Sequence, residues 1–278
     1  MIKNKLNDIF LCPLHGESIS TKDNIVSCDC KQYKVEDEQI VVLNEDLANI
    51  PAALTRDKQA KGYLEHDKHL VHTYILKKWI NNIPNGLFKK MILDLGCGPG
   101  PTPRLLLERG AMNVFSVDFS IESLRINRIN CNTYTNKPIY LLQDLRKIRL
   151  KKNSISILLM TDFLQHIINK NERDIFLRQA FDSLIPGGYY YLSFMNINIK
   201  NYLKGDIYGE FASGSILYER LNYKNVIDSF PENITVDNII PLNISNNILL
   251  DSMLSRLPFS SLLSRWIVIQ GRKIYDDN

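Results

Sequence analysis

Leu93-Asp94-Leu95-Gly96-Cys97-Gly98-Pro99-Gly100 is the stretch on which the reading of this chain turns. It follows an apolar run, Met91 to Leu95, that reads as a buried strand. It precedes a helical pattern from Pro103 to Arg109, with Thr102 expected as N-cap, Pro103 at the first helical position and Gly110 just past the end. Glycines between a strand and a helix let the backbone turn tightly and approach a ligand with no Cβ in the way. The dinucleotide fingerprint Gly-x-Gly-x-x-Gly sets a pyrophosphate on the helix N-terminus. Here the spacing is Gly-x-Gly-x-Gly and the sixth position is Pro101, so a pyrophosphate cradle is disfavoured.

Downstream the pattern alternates. Strands are expected at Val114 to Val117, Ile139 to Leu142, Ile155 to Met160 and Tyr189 to Phe194, with a last one at Trp266 to Lys273. Helices are expected at Ile121 to Asn130 and Glu172 to Leu184, the second stopped by Pro186-Gly187-Gly188. Strands that alternate with helices imply an α/β fold, a mainly parallel sheet with helices on both faces.

With these residues in place the octet resembles motif I of the class I S-adenosylmethionine (SAM) dependent methyltransferases. Its neighbours fall where that family places its other motifs. Val117-Asp118-Phe119-Ser120 resembles the second motif, Gln143-Asp144-Leu145 the third, Leu159 to Ile167 the fourth, and Leu184-Ile185-Pro186-Gly187-Gly188 the turn before the fifth strand. The resemblance implies a Rossmann-like domain with a seven-stranded sheet and a SAM site formed by Asp94, Gly96, Cys97, Gly98, Gly100, Asp118, Phe119, Asp144, Leu145, Met160 and Thr161. Asp118 would accept from both ribose hydroxyls, with Phe119 packing on the adenine. Asp144 would accept from the adenine amino group, and the Leu145 N–H would meet a ring nitrogen. Asp94 would hold either the loop backbone or the SAM amino group. One departure stands out: Ile155-Ser156-Ile157 lacks the Asp that many relatives carry at the start of the fourth strand.

Methyl transfer from a sulfonium needs positioning and exclusion of water, and a base only where the acceptor must lose a proton early. His166, after the fourth strand, is the catalytic candidate, with a plain pocket wall as the alternative. Residues 51–87 read as a helical linker or lid. His66, His69 and His72 recur there on one helical face, with Tyr63 nearby, and are read as a polar lid face rather than a metal site. Asn196 to Tyr218, with Tyr202, Tyr208, Phe211 and Tyr218, is either an aromatic flap over an acceptor or a surface excursion.

Residues 1–50 carry short β segments around Ile25-Val26 and Gln39 to Leu43, and three of the five cysteines. Cys12, His15, Cys28 and Cys30 offer three thiolates and an imidazole, a good donor set for tetrahedral Zn²⁺. The segment resembles the zinc-ribbon-like domain found before some bacterial rRNA guanine methyltransferases and as free-standing methyltransferase activators. Two departures are His15 in place of the commoner Cys and the single residue between Cys28 and Cys30, so a ribbon without metal stays open as the alternative. Domains are therefore expected at 1–50, 51–87 and 88–278.

The chain has 278 residues, 45% apolar, and a net charge of +4. No stretch approaches the ~20 apolar residues of a membrane span, and Met1 to Phe10 lacks a signal-peptide core. A cytoplasmic protein is expected. Its charge permits nucleic-acid binding without arguing for it. The expected function is methyl transfer from SAM to an O or N atom of a small-molecule acceptor. Alternatives are an RNA base methyltransferase and a non-catalytic SAM-binding scaffold.

Overall fold

The structure, a computed structural model, describes residues 5–22, 25–37, 39–63, 70–211, 214–245 and 248–275. In chain order the elements are β1 (Ser20–Lys22), β2 (Ile25–Cys28), β3 (Lys31–Glu36), β4 (Ile40–Val42), α1 (Pro51–Tyr63), α2 (Leu70–Asn82), β5 (Met91–Leu95), α3 (Thr102–Glu108), β6 (Asn113–Asp118), α4 (Ile121–Asn130) and β7 (Ile139–Leu142). There follow β8 (Ile155–Thr161), α5 (Lys170–Ser183), β9 (Leu184–Met195), α6 (Ile199–Leu203), β10 (Tyr208–Phe211), β11 (Ile216–Glu219), α7 (Tyr223–Ile227), β12 (Ile234–Leu242), α8 (Ile248–Leu254) and β13 (Trp266–Lys273). Among the described residues no helix is long and apolar enough to cross a membrane.

The middle of the sheet is the expected Rossmann-like arrangement. Strands run in the order β7-β6-β5-β8-β9-β13-β12, parallel up to β9, with β13 antiparallel to β9 and β12 antiparallel to β13. Alternate residues on these strands face opposite sides. Leu93, Phe115, Val117, Leu158, Met160, Tyr190 and Leu192 enter one core with Phe176, Leu177 and Phe181 of α5. Ile92, Val114, Ile157, Leu159 and Tyr191 enter the other, with Leu76 and Ile80 of α2 and Leu105 and Leu106 of α3. Both faces are thus covered, which is why the parallel strands read as unbroken apolar runs.

The seven-stranded count is corrected by the N-terminal segment. β4 pairs in parallel with β7, and β3, β2 and β1 add antiparallel strands beyond it, giving a sheet of eleven strands. The segment also shares the main core: Leu6, Ile9, Phe10, Ile19, Val26 and Tyr33 lie in the same cluster as Phe115, and the Phe10 and Phe115 ring centroids are 5.7 Å apart. Small apolar content left this segment short of a core of its own, and it completes one by borrowing the sheet edge.

Three local expectations shift. Pro101, not Thr102, is the N-cap residue of α3, and no side chain caps it; Thr102 is already helical and buried. α5 begins at Lys170, because the Asn169 side chain accepts from Glu172 N and starts the helix earlier than Glu172. Pro186-Gly187-Gly188 does not stop α5, which ends at Ser183, but lies inside β9, where Gly187 (φ +76°) marks the irregular pairing with β8. Ser156, the departure at the fourth strand, is fully buried with its hydroxyl within 3.0 Å of the Leu87 and 2.8 Å of the Met91 carbonyl. It ties β8 to the first residue of β5 and to the turn that precedes β5.

Gly271 in β13 has no room for a side chain. A Cβ there would lie 1.9 Å from the Thr235 carbonyl oxygen and 2.7 Å from the Tyr190 hydroxyl, which itself donates to Thr235 O. Gly271→Ala is expected to cost roughly 3 kcal/mol through overpacking and separation of β12 from β13. Urea unfolding of the two proteins measures it, and equal midpoints would show that the strands yield freely.

Candidate functional site

The parallel strands deliver their C-terminal ends to one cavity of about 990 Å³. β5 hands over to the glycine loop. Gly96 (φ +71°) and Gly98 (φ +50°) hold the left-handed conformation that other residues adopt at a cost. The loop is tied to β6: Gly96 N and Cys97 N both donate to Val117 O, at 2.8 and 3.1 Å. Gly96, Cys97, Gly98 and Gly100 all line the cavity.

Asp118 ends β6 and lines the cavity while being 6% exposed. Gly98 N donates to its Oδ2 at 2.8 Å and Ser120 N to its Oδ1 at 2.9 Å. Burial pushes its carboxyl up, while those backbone N–H groups and the nearby Arg56 guanidinium pull the other way; the net direction is upward. Each oxygen keeps a lone pair for one further donor. Asp57 of α1 accepts from Ser120 Oγ (2.7 Å) and Glu122 N (3.1 Å), so α1 is pinned to the turn that presents Asp118. Phe119 lines the cavity beside it.

Asp144 and Leu145, after β7, also line the cavity. The Asp144 carboxylate is held by the Arg146 fork, with Nη2 to Oδ2 at 2.7 Å and Nε to Oδ1 at 3.0 Å. That carboxylate is thus already paired within its own turn. Thr161 lines the cavity, but Met160 is corrected: it is fully buried in the core, because alternation along β8 turns it away from the strand's open end. Asp94 is fully buried, and among the described residues neither of its oxygens has a hydrogen-bond partner. Burial first, and Asp118 second, push its carboxyl well above the usual range. Asp94 lies behind the glycine loop and is not among the residues that line the cavity.

The walls beyond the loop come from elements far apart in sequence. α1 and the turn before it supply Leu47, Ile50, Ala52 and Arg56, and α2 supplies His72, Thr73 and Leu76. Of the expected flap, Ser215, Ile216 and Leu217 at the start of β11 reach the cavity.

His166 lies in this wall with both ring nitrogens engaged. Nδ1 is 2.8 Å from Leu217 O, which only accepts, so it carries the proton. Nε2 is 3.2 Å from Arg56 Nη2, which only donates, so it is the acceptor. Burial, and then the Arg56 charge, bring the imidazole down to about 4 despite the Leu217 carbonyl. This His is neutral and faces a cation.

His72 has the opposite surroundings. Its Nδ1 is 3.4 Å from Asp162 Oδ2, and its Nε2 is 3.4 Å from Asn243 Nδ2. Asp162 also accepts from the Ser193 hydroxyl. His66 and His69, and the Tyr63 side chain, lie outside the described residues. Arg56, Asp57 and Asp162 were not singled out from sequence. Asp162 carried a usable signal, an acid directly after an apolar strand; Arg56 and Asp57 carried none.

At the sheet's N-terminal edge, Cys12, Cys28 and Cys30 bring their sulfurs within 4.8 Å of one another. Cys12 Sγ is 3.6 Å from Cys28 Sγ and 3.7 Å from Cys30 Sγ. Two thiolates on one zinc at ~2.3 Å each, set tetrahedrally, stand about 3.7 Å apart. Cys28 and Cys30 are closer, 2.7 Å, and must spread to share an ion. His15 is exposed and stands at the margin, Nδ1 3.9 Å from Cys12 Sγ. Burial raises the Cys12 thiol, but the Tyr33 hydroxyl and the backbone at His15 and Leu14 outweigh it and bring it down to about 6. Those donors favour the thiolate over the thiol at the buried position.

Comparison with known proteins agrees with the geometry. The family model described as "Methyltransferase domain" matches residues 93–192. A ubiquinone biosynthesis O-methyltransferase from Idiomarina loihiensis is 28% identical over 137 residues, 49% of this chain and 55% of that protein. The chain spans about half the length of the curated relatives it matches. Among solved structures, SAM-dependent methyltransferases from Mesorhizobium loti and Listeria monocytogenes superpose with a TM-score of 0.56 each, at 17% and 16% identity. They cover 73% and 75% of this chain and 98% and 99% of their own. At those identities the likeness is one of fold. The chain thus has the Rossmann-like fold of the class I methyltransferases, and its residues 93–192 match the methyltransferase-domain model.

Proposed function

We propose that the protein transfers a methyl group from SAM to an O or N atom of a small-molecule acceptor, oxygen being favoured by the O-methyltransferases among its relatives. One observation carries the reading. The glycine loop and Asp118 open onto the same cavity that continues to His72, Asp162 and His166. At about 990 Å³ the cavity is at the upper end of the ~300–1,000 Å³ that one ligand occupies, which leaves room for a donor and an acceptor together. SAM fits the residues present: the loop's glycines leave space for it and Asp118 retains two lone pairs. Bound SAM supplies an electrophilic methyl on a sulfonium. The chain holds it, orients the acceptor and shuts out water beneath α1 and α2. These helices enclose the cavity on a scale suited to a small molecule rather than a folded RNA.

Calorimetry with SAM and S-adenosylhomocysteine (SAH) tests the reading. Micromolar binding supports it, and absence of binding to the purified protein removes it. In the same sample we expect zinc, held by Cys12, Cys28, Cys30 and His15, in a cytoplasmic, thiol-reducing setting. Metal analysis before and after a chelator, with urea unfolding of both forms, measures it. One zinc per chain and a lower unfolding midpoint after removal are expected, because a structural ion's binding energy adds to folding energy. A metal-free preparation of unchanged stability would leave the cysteines as packed thiols.

A further inference from the structure

We propose that the surface built by α6 and by the segment between α8 and β13 docks on a phospholipid bilayer that carries anionic headgroups. Large apolar side chains are left in water there. Leu257, Phe259, Leu262 and Leu263 are exposed, and so are Tyr202 and Leu203 of α6, the last of them 78% exposed. The two segments adjoin. Asn196, just ahead of α6, donates from Nδ2 to Ser261 O at 2.8 Å and to Ser264 O at 3.1 Å, and its backbone N donates to Arg265 O at 2.8 Å. Single apolar residues scattered over a surface need no explanation, but a concentration of them marks a contact with a protein or a membrane.

Phe259 is the clearest member. Its φ of +63° is a conformation that suits Gly or Asn and costs a bulky residue free energy, yet the residue is 77% exposed. The turn around it is fixed: Leu262 N donates to Phe259 O at 2.9 Å, Ser260 N to Leu257 O at 3.2 Å, and Ser260 Oγ to Ser255 O at 3.1 Å. In water the ring gains little burial to offset that strain. Among acyl chains it does.

The charges around the patch select the occupant. Lys200, Lys204, Arg256 and Arg265 are exposed beside the apolar residues, and among the described residues none of them is in an ion pair. No Asp or Glu occurs at 196–205 or 252–271. The acids at the borders are engaged. Asp206 pairs with Arg220 at 2.7 Å, and buried Asp251 accepts from Asn243 N, Ile244 N and Ser245 N. A second copy of the chain, related by a two-fold axis, would set this patch against itself, cation against cation with no acid between them. An anionic lipid surface meets both features at once. Phosphates take the four cations at headgroup level, while Leu, Phe and Tyr side chains enter the acyl boundary beneath.

The contact is peripheral, since among the described residues no helix is long and apolar enough to cross a bilayer. Its place in the fold is definite. Met195 at the end of β9 stands opposite Trp266 at the start of β13, so the patch lies at the end of the sheet where the cavity opens. A docked molecule therefore holds that end toward the lipid.

Flotation of the full chain with two kinds of vesicle tests the proposal: phosphatidylcholine alone, and phosphatidylcholine mixed with phosphatidylglycerol. The wild type is expected to float with the mixed vesicles, to stay behind with the neutral ones, and to be released by salt. Arg256→Gln combined with Lys204→Gln should weaken binding about fivefold for each charge removed. Phe259→Asn, which suits the backbone at that position, should weaken it by roughly tenfold to a hundredfold. Met112→Asn is the control, an exposed apolar residue at the entrance to β6 and so at the opposite end of the sheet; it should bind as the wild type does. Urea unfolding of each variant checks that it is folded. Absence of flotation with the mixed vesicles, equal flotation with both kinds, or unchanged binding in both patch variants overturns the proposal. Light scattering supplies the remaining outcome: a monomer is expected, and a dimer that Phe259→Asn dissolves would give the patch to a second copy and overturn the proposal as well.

Discussion

Asp118→Ala is expected to abolish measurable binding of SAM and SAH while leaving the protein folded. The carboxylate is buried at the mouth of the glycine loop, and its two oxygens each have a lone pair directed to neither Gly98 N nor Ser120 N. Two hydroxyl donors meeting them form charge-assisted hydrogen bonds of about 1.5–3 kcal/mol each. Loss of both weakens binding by roughly a hundredfold to ten-thousandfold. The true loss is larger, because Gly98 N–H loses its acceptor and the loop loses a fixed point. Asp118→Asn separates the two effects. It keeps the shape but turns an amide NH₂ toward either Gly98 N–H or Ser120 N–H, so one backbone donor is opposed by another. Its affinity should fall between wild type and alanine. Stability need not suffer, because burial raises this carboxyl and an uncharged side chain spares its desolvation. Wild-type affinity in Asp118→Ala would mean that the ligand lies elsewhere in the cavity.

The parts of this architecture legible in the sequence are those with a local signature. Met91–Leu95 with its glycines, the apolar runs at 139–142 and 155–160, and the Ile121–Asn130 helix all declare themselves within ten residues, because strand and helix periods are short. The motif order then implies the central strand order. The pairing of β4 with β7 has no such mark. Residues 40–42 and 140–142 lie a hundred positions apart, and nothing in either run says that their backbones meet in parallel. Pro186-Gly187-Gly188 was misleading for a related reason: a glycine pair that usually ends an element here serves a bulge inside one. At the site, Asp118 and the loop were readable because they are neighbours of strand ends. Arg56 against His166, and Asp162 against His72, are contacts across long sequence separations. Their consequence, one imidazole facing a cation and the other a carboxylate, exists only in three dimensions. Met160 and Thr161 show the smallest scale of the same limit. One step along a strand reverses the face, and the motif alone did not fix the step.

Gly96→Ala should damage both the fold and the site, and by a traceable route. The position has φ +71°, which costs an L-residue roughly 1–2 kcal/mol. A Cβ there would stand 2.5 Å from Phe163 Cδ1, 2.9 Å from its Cγ and 3.0 Å from its Cβ. Phe163 must therefore move. Away from the loop it meets Phe176 of α5, packed edge-on with ring centroids 5.4 Å apart, so retreat disturbs the main core. Toward the cavity it occupies space that the ligands need. If the loop shifts instead, the hydrogen bonds from Gly96 N and Cys97 N to Val117 O are lost, and Asp118, the next residue, moves with them. Each route weakens SAH binding, and strain plus overpacking together should cost about 2–4 kcal/mol of stability. Gly110→Ala provides the comparison. It has φ +81° but nothing within 4 Å of the added Cβ. It should show only the same backbone cost of roughly 1–2 kcal/mol and bind SAH as the wild type does. Calorimetry and urea unfolding on the two variants separate strain from steric exclusion. If Gly96→Ala loses no more than Gly110→Ala in either measurement, then Phe163 yields freely and the loop's close fit plays no part in holding the ligand.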